Sequence, residues 1–162
     1  MATLSEETSY MNTDQIEREV VIDAPIERVW SALTEPKGVS AWFSNGGDVS
    51  IDLRVGGVMT FDQGHHGAFK TVIVTVTPPH AFSFRWASAH PGVLATEENS
   101  TLVEFTLKET STGTVLRVVE SGFDALDIAN EFENHSQGWK SVITELEKYV
   151  VANLDTPLSN LS

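Results

Sequence analysis

Two polar residues stand among apolar ones, in positions from which they could bind a ligand or do acid–base chemistry. The first, Glu120, ends the alternating run Leu116, Val118, Glu120. Side chains alternate between the faces of a strand, so Glu120 should point the same way as its two apolar predecessors. A carboxylate there would be partly desolvated and could hold a ligand or act as a general acid or base. The alternative is a carboxylate that stays in water at the strand end, and a bulge there would reverse its direction.

The second candidate, His135, lies one helical turn before Trp139, on the flank of an apolar stripe. It could reach Glu120 across an enclosed space and form an acid–base pair with it. The alternative is a boundary histidine that is hydrogen-bonded to backbone or stacked on a neighbour. The chain has no cysteine and no P-loop, GxGxxG, HExxH or GxSxG motif, so these two residues are the catalytic candidates.

The adjacent histidines His65 and His66 are the other residues that could do chemistry. They lie in a predicted turn, and neighbouring side chains on a strand point to opposite faces. They would share one metal ion only if the turn redirected them, and no third ligand has a suitable spacing. We therefore expect no metal site and no other cofactor.

Hydrophobic periodicity predicts the elements that must position these residues, beginning with a strand and two short helices. The strand covers Ile16 to Ile22, and a helix over 25–33 starts at Pro25, where a missing backbone N–H costs nothing. Thr34 is placed to cap the second short helix, which carries Trp42 near its end.

Alternating apolar residues then predict a run of antiparallel strands. One strand extends from Val49 to Val55, and Gly56-Gly57 turns the chain back as a hairpin. Residues 87–99 are irregular and form either a lid or a long hairpin connection. Apolar residues at spacings of three and four, ending at Val150, predict a final helix of about 25 residues.

A helix with so wide an apolar face needs a broad apolar surface to lie on, and a half-buried sheet provides one. The predicted fold class is therefore α+β: a curved antiparallel sheet of six or seven strands, two short N-terminal helices and one long C-terminal helix. We expect a single domain over residues 15–151, between a flexible tail at 1–14 and a second tail at 152–162.

Five stretches of the chain occur together, and in this order, in a known protein family. They are IDAPIERVWSALTEPKGVSAWF at 22–43, DLRVGG at 52–57, TPPHAFSFRW at 77–86, GTVLRVVESGF at 113–123 and HSQGW at 135–139. In these stretches the chain resembles the homologues of the activator of heat-shock protein 90 ATPase, within the START-like (SRPBCC, birch-pollen-allergen-like) superfamily. The resemblance implies a helix-grip fold in which the C-terminal helix closes a cavity over the sheet. It does not carry over chaperone activation, because the eponymous co-chaperone uses a further N-terminal domain for which this sequence leaves no room.

A cavity of that kind would be lined by apolar and aromatic side chains with few polar groups. The predicted ligand-binding residues are Trp42, Phe43, Met59, Phe61, Phe84, Trp86, Phe105, Leu116, Val118, Glu120, Phe123, His135 and Trp139. The alternative is plain core packing, since each aromatic side chain buries about 150–250 Å² and a domain of this size needs several.

Composition narrows the choice of partners. With 10 Lys and Arg against 23 Asp and Glu, the formal charge of −13 argues against nucleic acid and anionic membranes as partners. No apolar run approaches the ~20 residues of a membrane-spanning helix, and the polar N-terminus lacks signal-peptide features, so we expect a cytoplasmic protein.

Three functions remain in view. The first is a non-catalytic binder of a small hydrophobic or amphipathic molecule. The second is an enzyme resembling polyketide cyclases or hydrolases, with Glu120 and His135 as acid and base. The third is a stress-linked protein-interaction module, for which a chaperone is a conceivable partner. Monomer and homodimer are both open.

Overall fold

The computed structural model describes residues 15–43, 47–62, 64, 67–123 and 131–155. The predicted tail at 1–14, residues 156–162 of the second tail and the pair His65-His66 lie outside the described residues. Within the described ranges the chain forms β1 (Gln15–Ile22), α1 (Ile26–Thr34), α2 (Pro36–Trp42), β2 (Val49–Ile51), β3 (Val58–Asp62), β4 (Ala68–Thr77), β5 (Ala81–Trp86), β6 (Thr101–Thr110), β7 (Gly113–Ser121) and α3 (Glu131–Ala152).

The seven strands of the described residues form one antiparallel sheet in the order β1-β7-β6-β5-β4-β3-β2. Each long strand buries alternate side chains, as a sheet with one wet face requires. On β6, for example, Val103, Phe105 and Leu107 are buried, whereas Glu104 and Lys108 are exposed. The predicted α+β fold with a sheet of six or seven strands is confirmed.

Helix α3 lies against β1, α1 and α2. Its buried side chains recur at spacings of four and three: Trp139, Ile143, Leu146 and Val150. Arg18 of β1 helps to hold the helix, because its guanidinium donates to the backbone oxygen and the hydroxyl of Ser136, at 3.0 and 2.7 Å. This contact lies one residue beyond His135, so it helps to position the candidate site.

Helices α1 and α2 pack closely enough to require a glycine. A Cβ atom on Gly38 would lie 2.6 Å from the backbone oxygen of Ala32, too close for any other residue without a shift. The indole N–H of Trp42 donates to the same oxygen at 2.7 Å. The expected capping role of Thr34 is wrong: Thr34 is the last residue of α1, and its hydroxyl donates to the backbone oxygen of Trp30. The close packing of α1 and α2 sets the position of Phe43, which directly follows α2.

The strand predicted from Val49 to Val55 ends at Ile51. Leu53 and Val55 are 40% and 65% exposed, so the second half of the alternating pattern does not face the core. The backbone turns early because Gly57 closes tightly on Asp52, whose oxygen would lie only 2.0 Å from a Cβ atom at Gly57. Only a residue without a side chain permits this turn.

The irregular segment after β5 is a hairpin connection that is attached to the sheet. The backbone N–H of Gly92 donates to Ala68, and that of Ala95 donates to Lys70, both on β4. Asn99 closes the segment by bonding Thr96 N–H through its side-chain oxygen. The connection therefore continues the sheet beyond the end of β5. No helix within the described residues is long and apolar enough to cross a membrane.

Candidate functional site

A buried carboxylate lies at the centre of the candidate site. Glu120 is the eighth residue of β7 and is 0% exposed. It is buried in the core, as are Val118 and Leu116, two and four residues earlier, so the alternation predicted its direction correctly. A carboxylate removed from water needs hydrogen bonds to compensate for the solvation that it has lost.

Three side chains supply those hydrogen bonds. Thr101 of β6 donates its hydroxyl at 2.5 Å, and Trp139 of α3 donates its indole N–H at 2.8 Å. The third donor is His135, whose Nδ1 lies 2.8 Å from both carboxylate oxygens. We call Thr101, Glu120, His135 and Trp139 the polar cluster. Two strands and one helix build it, so it forms only when α3 docks on the sheet.

The hydrogen bond from Nδ1 fixes the orientation of the His135 ring. A carboxylate only accepts hydrogen bonds, so Nδ1 carries the proton and Nε2 is the ring atom that could exchange a proton with a ligand. The side chain of His135 is 10% exposed, whereas that of Glu120 is inaccessible. The arrangement therefore suits Glu120 as the residue that orients the imidazole and His135 as the residue that meets a ligand.

Aromatic rings surround the polar cluster. The His135 ring is stacked on Trp86 with centroids 4.9 Å apart, and Phe123 meets it edge-on at 5.4 Å. Phe43 stacks on Trp139 at 6.0 Å and meets Trp86 edge-on at 5.4 Å. These are the offset and edge-to-face geometries that aromatic pairs favour. The polar cluster is thus enclosed by aromatic side chains.

One polar atom beside the cluster has no partner. Trp86 is buried at the end of β5, and its Nε1 has no hydrogen-bond partner among the described residues. The other two indoles that contact Phe43 are paired: Trp42 with the Ala32 oxygen and Trp139 with Glu120. Buried N–H groups are almost always paired, so this exception is informative.

The predicted ligand-binding residues are all buried or nearly so, but they do not form one compact group. Glu120, His135 and Trp139 belong to the polar cluster, and Phe43, Trp86 and Phe123 lie around it. Trp42, Phe61 and Phe105 form the next layer of rings, through contacts to Phe43 and Trp139. Met59, Phe84 and Val118 are core residues of β3, β5 and β7, and Leu116 lies about 13 Å along β7 from Glu120, by the rise of a strand.

A family model described as "Activator of Hsp90 ATPase homolog 1-like protein" matches residues 23–151, which is most of the chain. The chain belongs to this family. The resemblance read from the five sequence stretches is therefore confirmed. A comparison with curated proteins finds no significant match.

Solved structures share the fold of this Hsp90 ATPase activator homologue-like chain. Protein MLL2253 from Mesorhizobium loti is 26% identical, with a TM-score of 0.71 over 89% of this chain and 99% of that one. DynU16, described as a protein of the dynemicin biosynthetic locus, is also 26% identical, with a TM-score of 0.70. The match covers 87% of this chain but 48% of DynU16. The Aha1 dimer from Colwellia psychrerythraea is 20% identical, with a TM-score of 0.67 over 88% and 96% of the chains, and shows the fold alone.

The sequence did not reveal the role of Thr101 in this family member. Thr101 begins β6 and is fully buried, two residues before the buried Val103. Extending the alternation of Val103 and Phe105 by one step would have placed it inward, beside Glu120. The irregular composition of the preceding segment hid the start of the strand. Phe69, which meets Trp86 edge-on at 5.9 Å, was missed in the same way, at the start of β4.

Metal binding has no support in the described part of this family member. No group of three or more His, Asp or Glu side chains there is arranged to hold an ion. The polar cluster has one histidine and one carboxylate, and the carboxylate already accepts three hydrogen bonds. The polar cluster can bind a ligand, or exchange a proton with it through His135.

Proposed function

We propose that this protein binds a small hydrophobic or amphipathic molecule between the sheet and α3, beside the polar cluster. The observation that carries the proposal is a buried Glu120 carboxylate held by three side-chain donors inside a layer of aromatic rings. Ligand sites in proteins have this composition: mostly apolar walls with a few precisely oriented polar groups.

Energetics support a functional reading of the cluster. A buried charged group is weak evidence for stability, because losing water costs about as much as its new partners return. Well-packed apolar side chains could fill the same space without that cost. The polar cluster is therefore better explained by a binding role than by a need for core stability.

One structural neighbour is connected with the biosynthesis of an organic compound. DynU16, at 26% identity over 48% of its own length, is described by its place in the dynemicin biosynthetic locus. Since biosynthetic loci make organic compounds, we propose an apolar organic compound as the class of ligand for this chain. The chain's net charge of −13 favours neutral over anionic members of that class.

A thermal-shift screen tests the proposal. The panel contains fatty acids, sterols, flavonoids and polyketide-like aromatic compounds. A ligand present at one hundred times its dissociation constant stabilises the folded state by about 2.7 kcal/mol, which is about 5–10 °C for a domain of this size. One chemical class should raise the melting temperature by that amount. If every class leaves it unchanged, the proposal is wrong.

A pair of matched variants then locates the site. Phe123→Leu shortens a ring that contacts His135, and Phe82→Leu makes the same change where β5 packs against Trp30 of α1. Both should lower stability by a similar amount because both rings are buried. Only Phe123→Leu should weaken ligand binding. Equal weakening by the two variants would place the ligand elsewhere.

A second candidate, an enzyme resembling cyclases or hydrolases, is favoured by the contact between Glu120 and His135. In this reading His135 Nε2 takes and returns the proton, and Glu120 stabilises the imidazolium that forms. Glu120→Gln should then abolish conversion of the bound ligand, followed by mass spectrometry, while leaving its binding intact. Recovery of every screen hit unchanged after incubation with wild-type protein would exclude the enzymatic reading and leave the binding role.

A further inference from the structure

The unpaired indole N–H of Trp86 indicates what kind of ligand the site accepts. Trp86 is 9% exposed, and its Nε1 is one of two buried side-chain nitrogens in the described residues without a hydrogen-bond partner. A buried donor without an acceptor loses the hydrogen bonds that it would make to water, so such groups are rare in folded proteins. An acceptor supplied from outside the chain would remove this penalty.

Trp86 lies beside the polar cluster. Trp86 pairs with Thr101 across β5 and β6, and Thr101 is the residue whose hydroxyl donates to Glu120. On its face toward α3, Trp86 is stacked on His135. Trp86 therefore contacts the polar cluster, in which Glu120 accepts from three donors, while the buried Trp86 N–H has no acceptor among the described residues.

The buried acid beside Trp86 favours a neutral acceptor over an anionic one. The His135 ring is stacked on Trp86, and its Nδ1 lies 2.8 Å from both carboxyl oxygens of Glu120. The inward-facing cation Arg18 of β1 is hydrogen-bonded to Ser136 of α3. β1 is three strands from β5, or about 14 Å at the usual strand spacing. An anionic ligand group at Trp86 would thus bring a second acidic group close to the buried carboxyl of Glu120, which a neutral acceptor avoids.

We propose that the Trp86 N–H donates a hydrogen bond to a neutral carbonyl oxygen of the bound molecule, as in an aromatic ketone, quinone or ester. The inference rests on the proposed function, since it specifies the ligand of the same site. The rings of Phe43, Phe61 and Phe69 that flank Trp86 would contact the apolar body of the ligand. The Trp86 N–H then makes the site prefer apolar molecules that carry a carbonyl group. The surrounding rings contribute affinity for any apolar ligand, with or without a carbonyl group.

Three related compounds test this inference: 9-fluorenone, its hydrocarbon analogue fluorene, and the anion fluorene-9-carboxylate. Dissociation constants are measured by calorimetry for the wild type and for Trp86→Phe, which keeps a ring and removes the N–H. Loss of one neutral hydrogen bond should weaken fluorenone binding by about 3- to 10-fold. Fluorene binding should change by less than about twofold, and the carboxylate should bind more weakly than fluorenone to both proteins.

Trp30→Phe is the matched control, because Trp30 lies on α1 and contacts Phe82 rather than the polar cluster. It should leave the affinities for both neutral compounds unchanged. In ¹H–¹⁵N spectra of the wild type, the Trp86 indole proton should move downfield with fluorenone and not with fluorene.

The outcomes separate this inference from the function on which it rests. If fluorene and fluorenone both bind and Trp86→Phe weakens them equally, the carbonyl assignment is wrong while apolar binding stands. Tighter binding of the carboxylate than of fluorenone would contradict the proposal that the acceptor of the Trp86 N–H is neutral. If neither neutral compound binds to the wild type, and the broader screen also fails, both the inference and the proposed function are wrong.

Discussion

The two ends of β7 bury polar side chains in different ways. At its start, Thr114 is 0% exposed, and its hydroxyl donates to the backbone oxygen of Ala24 at 2.8 Å. Near its end, Glu120 is equally buried, but its three partners are side chains of Thr101, His135 and Trp139. At one end a neutral hydroxyl group donates a hydrogen bond to the main chain. At the other end an ionisable carboxyl group accepts hydrogen bonds from three side chains.

This difference indicates that the buried polar group at the Thr114 end has a structural role and that the one at the Glu120 end has a functional role. Bonding Thr114 to the main chain ties β7 to the loop before α1 and needs no charge. The polar cluster buries an acid and an imidazole, which cost solvation free energy that packing alone would not require. We therefore expect the Thr114 end to determine stability and the Glu120 end to determine binding.

The largest effect should come from removing the carboxylate alone. Glu120→Leu leaves the hydroxyl of Thr101 and the N–H groups of His135 and Trp139 buried without an acceptor. Breaking a buried polar network by removing one partner typically costs about 3–5 kcal/mol, so the free energy of unfolding should fall by that amount. Urea denaturation measures it. A loss below about 1 kcal/mol would contradict the geometry of the cluster.

Replacing the cluster as a unit should restore most of that loss. In the triple variant Thr101→Val, Glu120→Leu, His135→Leu, only the Trp139 N–H stays unpaired among the four residues. We expect urea denaturation to show a free energy of unfolding within about 1–2 kcal/mol of the wild type, because apolar replacements of buried ionic groups are often neutral. Ligand binding should be lost. A triple variant as unstable as Glu120→Leu would mean that the cluster is needed for folding.

A smaller loss should follow from Trp139→Phe, which removes one of the three donors and keeps a stacked ring next to Phe43. Hydrogen bonds to charged groups contribute about 1.5–3 kcal/mol, so the unfolding free energy should fall within that range. The measurement is again urea denaturation, and a neutral result would show that the indole N–H does not hold Glu120.

Thr114→Val provides the comparison at the other end of β7. It removes a neutral hydrogen bond with little change of shape, so the expected loss is about 0.5–1.5 kcal/mol. The affinity for the ligand should not change. Weaker ligand binding by Thr114→Val, at unchanged fold, would contradict the division of roles between the two ends.

The smallest effect concerns Glu17, a carboxylate on the wet face of β1. A hydrogen bond from Arg117 lowers the pKa of Glu17, and the two side chains form an exposed ion pair at 2.6 Å. A lowered pKa means that this contribution is present at neutral pH and is lost as the pH falls through the acid range below the ordinary value for glutamate. Glu17→Gln should cost about 0.5 kcal/mol or less at pH 7, and added salt should reduce the difference. A cost that salt does not reduce would contradict a screened surface pair.

The sequence predicted the framework of the site but not its contacts. The direction of Glu120 followed from the alternation in β7, and the position of His135 followed from its spacing to Trp139 in α3. Their 2.8 Å contact could not be read from the chain, because the rotation of α3 over the sheet is set by packing at Trp139, Ile143 and Leu146. Alternation also failed at Val55, because it does not detect a backbone turn that Gly57 makes possible.

The central claim, that the polar cluster marks a ligand site, is tested most directly by a ¹H–¹⁵N titration with the most stabilising compound of the screen. The four indole N–H signals are assigned from single Trp→Phe variants. The account predicts large shifts for Trp86 and Trp139 and none for Trp30. Shifts confined to Trp30, or an unchanged set of indole signals at saturation, would contradict it.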